Sequence, residues 1–172
     1  MPPVAPSVTR AGAIKDLFAA FDGFLRGKGY KNHVGTDAAD RVIRGFTVTS
    51  ADAHDGAQLP AVLAKNTAGG VWADTAYRSK ANEKHLAERG LASKIHFRRQ
   101  PGHDVTPSQR KANRARSKVR SGVEGVFADQ KCALGPIIRT IGLAGATTKI
   151  AIANLTYNFR RYLWLAEHPK TA

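Results

Sequence analysis

Cysteine is almost missing from this chain: Cys132 is the only one in 172 residues. A lone thiol closes no internal disulfide and builds no thiolate zinc site, so neither staple holds the fold, and a reducing, cytoplasmic setting is expected. Long apolar runs are missing as well. No stretch approaches the roughly 20 apolar residues of a membrane span, and the opening MPPVAPSVTRAG has neither the apolar core nor the cleavage site of an export signal. Acids are scarce: 13 against 27 lysines and arginines leave a formal charge of +14 and a pI near 10.4. That excess points to a polyanionic partner, nucleic acid before a membrane surface. No internal repeat is visible, and the length suits one globular domain with tails.

What is present sorts by its period. Residues 1–12 carry prolines and no periodicity and are expected to form a disordered leader. Ile14, Leu17, Phe18, Phe21 and Leu25 recur at helical spacing, which predicts an amphipathic helix over 13–27 with Asp16 and Asp22 solvated. From Gly29 the period becomes two: GYKNHVGTDA and RVIRGFTVTS, parted by turn-like residues around Ala39 and Asp40, predict an antiparallel hairpin. ADAHDGAQLPAVLAK gives a short helix with Leu59, Val62 and Leu63 inward. His54 and Asp55 can be read as a ligand pair, or more simply Asp55 is the cap of that helix.

GGVWADTAY follows as a buried strand ending at Asp74. Ser79 then caps a helix through KANEKHLAER that stops at Gly90, and LASKIHF is the next strand. Strand, helix and strand with such short connections form a βαβ unit, so a mixed α/β sheet is expected with Asp74 at a carboxyl end, where sites tend to form. After the basic loop RRQPGHDVT, Thr106, Pro107 and Gln109 open a long helix that carries Arg110, Lys111, Arg114, Arg116, Lys118 and Arg120. IIRTIGLAGA reads as an irregular crossing. KIAIANLTYNFRRYLWL reads as a final helix whose Ile150, Ala153, Leu155, Tyr157 and Phe159 belong to the core.

The long helix also sets one acid among cations. Helical offsets place Arg116, Arg120, Glu124 and Lys131 along one face, beside an apolar stripe of Val119, Val123, Val126 and Phe127. Taken alone, Arg120 and Glu124 are an ion pair of residues four apart on a solvated face, worth roughly 0.2–0.5 kcal/mol. Taken with Asp74, Glu124 is one of two carboxylates suited to a metal ion.

The runs GYKNHVGTDA, TVTSADAHD, VWADTAYRSK, SKIHFRRQPGH, ANRARSKVRSGVEGVF, RTIGLA and IANLTYNFRRYLWL, in this order, resemble bacterial insertion-sequence DDE transposases of the IS-four and IS-five type. The resemblance covers about residues 27–165, the carboxyl-terminal two thirds of the catalytic domain. The family signature around its catalytic glutamate is tyrosine, two residues, arginine, three residues, glutamate, six residues, lysine. Arg120, Glu124 and Lys131 stand at those spacings, and Asp74 matches the second catalytic aspartate. Ser117 departs from the tyrosine, and Gly125 from the histidine that commonly follows the glutamate.

The resemblance implies a ribonuclease H-like mixed sheet flanked by helices. It implies Asp74 and Glu124 as catalytic acids and metal ligands, Mg2+ or Mn2+ as cofactor, and Arg120 and Lys131 as phosphate contacts. The chemistry would be strand cleavage and strand transfer on double-stranded DNA, both transposon ends and target. These are in-line displacements at phosphorus between two metal ions roughly 3.5–4 Å apart, for which carboxylate oxygens are fitting ligands. Arg110, Arg114 and Lys118 would add sequence-independent affinity for the DNA backbone.

The family's first aspartate lies on a strand upstream of GYKNHVGTDA, where this chain reads as helix. The expectation is therefore a partial domain over 28–168, truncated or frame-shifted at its amino end and lacking the first strand and first acid. Such a fragment would be inactive or weakly active, working as a homo-oligomer or paired with another transposase chain. The alternative is a non-catalytic basic nucleic-acid-binding protein or regulator of transposition, and metal dependence separates the two.

Overall fold

The hairpin expected from the period-two runs is one margin of a sheet. In the computed structural model, which describes residues 29–63, 69–99, 101–134 and 140–169 together with the backbone of 14–23, β2 (Tyr30–Asp37) pairs antiparallel with β3 (Ile43–Ser50). Asp37 closes the turn: its carboxylate accepts from the backbone N–H of Ala39 at 2.8 Å and of Asp40 at 2.9 Å. The expected leader, residues 1–12, lies outside the described residues.

Residues 14–23 depart from the helix expected over 13–27 and form a strand, β1 (Ile14–Gly23). It runs antiparallel to β2 and parallel to β4 (Gly69–Trp72), so that Leu17 is level with Thr36 on one side and Trp72 on the other. A strand paired along both edges inside a layered fold need not alternate polar and apolar residues, and an apolar run of this length fits a helix as readily as a central strand. The domain therefore has the strand ahead of β2 that the sequence reading leaves out. Beyond β4 comes β5 (Ala92–Ser93), parallel to it, and the strand order is β3-β2-β1-β4-β5. The ladder continues past β5, where the N–H of Lys94 donates to the Val71 carbonyl at 2.8 Å and that of His96 to the Ala73 carbonyl at 3.0 Å.

Helices cover both faces of this mixed sheet. Val71 joins a core with Leu59 and Val62 of α1 (Leu59–Val62), Tyr77, and Leu86 of α2 (Lys80–Glu88). Its neighbour Trp72 joins the opposite core, with Val34, Ile43, Val123, Val126 and Phe127 of α3 (Pro107–Leu134) and Tyr157 of α4 (Leu143–Glu167). Successive strand residues point to opposite faces, so these two neighbours anchor one layer each. A Cβ at Gly45 of β3 would lie 2.6 Å from the Val62 carbonyl oxygen, so only glycine lets α1 come this close. Among the described residues no helix is long and apolar enough to cross a membrane.

Three local expectations change. The cap of the short turn ahead of α1 is His54, whose Nδ1 accepts from the Gly56 N–H at 3.1 Å, while Asp55 pairs with Lys31 at 2.9 Å. Both residues of the alternative ligand pair thus have structural work. The final helix starts at Leu143, inside the stretch expected as an irregular crossing; 135–139 lie outside the described residues. Ile150, Ala153 and Tyr157 are buried as expected, but Leu155 and Phe159 are 55% and 62% exposed. A helix covers a sheet with one face, and Leu155 stands about 200° around the axis from Ala153.

Candidate active site

Asp74 follows the end of β4 by two residues, held by the buried Trp72 and Ala73. Its backbone is extended, and its Oδ1 accepts from the Ala76 N–H at 2.7 Å, capping the turn Thr75–Tyr77. His96 lies beside it, because its N–H bonds the Ala73 carbonyl. The His96 Nε2 is 3.4 Å from the Ser117 hydroxyl of α3. Burial, and then the positive charge of Arg120, hold the imidazole below its ordinary pKa, while Asp74 pulls the other way.

Arg120 ties this corner to the second expected acid. Its Nη2 lies 2.8 Å from Oε1 of Glu124, with the arginine largely sheltered and the glutamate 58% exposed. The Nε of Arg120 is buried without a hydrogen-bond partner. Asp74 and Arg120 both act electrostatically on His96, Arg120 pairs with Glu124, and α3 packs against β4. The ion pair expected on simplest grounds exists.

The other expected residues spread along α3. Lys131 lies two turns beyond Glu124 and is exposed. Arg110, Arg114 and Lys118 are exposed toward the amino end, where the Arg110 Nε donates to the Val105 carbonyl at 3.0 Å. Arg110 and Arg114 line an open cleft of about 470 Å³ with Arg99 and Asp104. Arg116 turns away from Glu124. It and Arg78 both donate to the Ile95 carbonyl, at 2.7 and 2.8 Å, and both lie over the Phe97 ring, 4.3 and 4.6 Å from its centre. Burial first, and the Arg78 charge second, lower the Arg116 pKa.

Two further acids enter with β1. Asp16 is level with Val71 of β4 and Asp37 of β2, and Asp22, level with Lys31, stands one residue before the strand ends. Because β1 and β4 are parallel, their carboxyl ends meet the same edge of the sheet, the edge that holds Asp74. As a donor set for a hard cation, Asp74 and Glu124 are right in kind, both oxygen ligands with solvent access. They are two, and among the described residues no group of three or more histidines, cysteines or acids is placed to hold a metal ion. The sequence reading missed His96 and Phe97. The available signal was the alternation in SKIHF, which carries a parallel neighbour of β4 past the level of Asp74.

Comparison with known proteins adds two findings. The family described as the transposase DDE domain matches residues 10–159, a span that takes in every strand of the sheet, β1 included. The transposase for insertion sequence element IS1106 of Neisseria meningitidis serogroup B is 38% identical over 104 residues, which make up 58% of this chain and 34% of that protein. The matched stretch is thus about a third of that relative's length.

Proposed function

The chain belongs to the DDE transposase family, and from that premise we propose that it forms the catalytic domain for metal-dependent cleavage and transfer of DNA strands. What supports the reading is that Asp74, at the carboxyl end of β4, and Arg120 of α3, which pairs with Glu124, both act on His96. The strand order β3-β2-β1-β4-β5, with β2 alone running antiparallel to the other four, supports a ribonuclease H-like architecture.

Asp74 and Glu124 would hold Mg2+ or Mn2+. A strand, β1, stands ahead of β2, and the reading rests on Asp74 and Glu124 alone as ligands. When bound, the metal supplies Lewis-acid stabilisation of the phosphoryl oxygens during in-line displacement. The chain's own groups do the rest. Arg120 pairs with Glu124 and, with Lys131, holds phosphate oxygens at the site. Burial and then the charge of Arg120 lower the His96 pKa, which favours a neutral imidazole near that cation. Arg110, Arg114 and Lys118 hold the flanking duplex by its backbone.

Nicking of supercoiled DNA by the purified chain, with Mg2+ or Mn2+ and with chelator, tests this. Metal-dependent nicking is expected, lost in Asp74→Ala and in Glu124→Ala. Nicking that survived in Asp74→Ala and Glu124→Ala would refute the site. DNA binding without any nicking would favour the second reading, a non-catalytic binder. For that reading speaks the Glu124 carboxylate already neutralised by Arg120.

A further inference from the structure

The turn between β2 and β3 holds one residue in a conformation it adopts at a cost. Arg41 has φ of 57°, the only positive value among the described residues other than glycines. The turn is closed by Asp37 and Val42 and by the Arg41 N–H on the Asp37 carbonyl, at 2.9 and 2.8 Å. Glycine fits such a left-handed position without steric conflict. A strained residue that is kept directs attention to its side chain.

That side chain enters a cleft of about 260 Å³ between the turn, α3 and α4. The turn is fixed from α4 at two carbonyls: the Tyr157 hydroxyl donates to Arg41 O at 2.8 Å, and the Arg161 Nε to Asp40 O at 2.7 Å. Arg161 lies with its guanidinium 4.3 Å from the centre of the Trp164 ring, which orients it. Arg160 completes the cationic lining, 3.4 Å from Asp129. The lining thus holds three arginines and one acid, Asp129, which pairs with Arg160. On the α3 side the wall is Gly125, where a Cβ would have Arg41 Nη1 as its nearest neighbour at 4.0 Å, and Gly125 directly follows Glu124. The volume admits a phosphate group and several waters, each water occupying about 30 Å³ in the liquid.

We propose that this cleft is a second phosphate-binding site, in which Arg41, Arg160 and Arg161 hold a backbone phosphodiester of DNA beyond Glu124, on the opposite side from the Arg110–Lys118 run. The inference rests on the reading of the chain as a DNA-acting domain. Arg41 is its discriminating residue, because exchange for glycine removes the charge and relieves the backbone together.

The test measures duplex affinity over a salt series for the chain, for Arg41→Gly, for Arg160→Gln, and for a variant with Arg110, Arg114 and Lys118 changed to alanine. Arg41→Gly should melt at the same temperature or higher, yet bind more weakly, with a slope of log affinity against log salt shallower by about 0.9. Arg160→Gln should lose slope likewise at unchanged melting temperature, which guards against misfolding as the cause. If Arg41→Gly and Arg160→Gln keep the slope while the triple variant loses it, the cleft is not a DNA site and the DNA reading stands. If the unmodified chain does not bind duplex, both readings fall. Inorganic phosphate that stabilised the chain, but not Arg41→Gly, with no change of slope would place a free anion in the cleft and overturn its assignment to DNA.

Discussion

Asn154 joins three elements through one side chain. Its Oδ1 accepts from Asn32 of β2 at 2.9 Å and from Gln130 of α3 at 2.8 Å, and its own Nδ2 donates to Asn32 at 3.3 Å. Asn32 and Asn154 are 5% and 3% exposed, so neither finds water if its partner is removed, and buried amides left unpaired are costly. Asn154→Ala strands both Asn32 and Gln130 and is expected to cost about 2–3 kcal/mol. Asn32→Ala should cost less, and the double variant should cost less than the sum by at least about 0.5 kcal/mol. Urea denaturation of the four proteins measures this, and strict additivity would show that the amide pair does not couple sheet to helices. Nothing in IANLTYN announces the role. The sequence indicates a helix with apolar contacts, but an inward asparagine is defined by its partner, here 122 positions away.

Elements whose signals are local could be read from the chain, and those defined by their neighbours could not. The hairpin, the β4-α2-β5 unit, the Ser79 cap and the start of α3 all rest on residues within a few positions of one another. At α3 the Gln109 N–H bonds the Thr106 hydroxyl at 3.2 Å, and the Thr106 N–H bonds the Gln109 side chain at 3.0 Å, the reciprocal pair that the spacing predicts. Thr106→Ala should lower stability by about 1 kcal/mol. In hydrogen exchange it should also deprotect the amides of Gln109 and Arg110 while leaving Val123 to Phe127 unchanged; uniform loss along the helix would mean that the cap does not act locally. β1 has no such signature. Its apolar residues suit a helix as well as a central strand, and what decides between them is the pair of edges offered by β2 and β4. Exposure of Leu155 and Phe159 was equally hidden, because which face of α4 meets the sheet is set by packing on β2 and β3.

At the scale of the whole molecule, the +14 charge is arranged rather than spread. Spacing alone could pair Arg120 with Glu124, and a strand end could single out Asp74, so those parts of the candidate site were readable. How α3 crosses the sheet was not, and that crossing decides which cations reach outward. Arg116 is held on Phe97 and the Ile95 carbonyl, whereas Arg110, Arg114 and Lys118 lie exposed along the same helix. Long-range attraction to a duplex is governed by the exposed set, since neutralised phosphates release counterions and each contact contributes about 0.9 to the salt slope. Changing Arg110, Arg114 and Lys118 to alanine should therefore flatten the slope by up to about 2.7, three times that contribution, and weaken binding alike on unrelated sequences. Arg116→Ala should leave the slope nearly as it was while lowering stability, because its cation–π contact, on the order of 0.5–2 kcal/mol, and its bond to Ile95 are lost. Fluorescence anisotropy with two unrelated duplexes across a salt series, beside thermal melts of each variant, reads both effects. A slope that fell with Arg116→Ala and held in the triple variant would mean that DNA approaches the Phe97 side of α3 and not its exposed amino end.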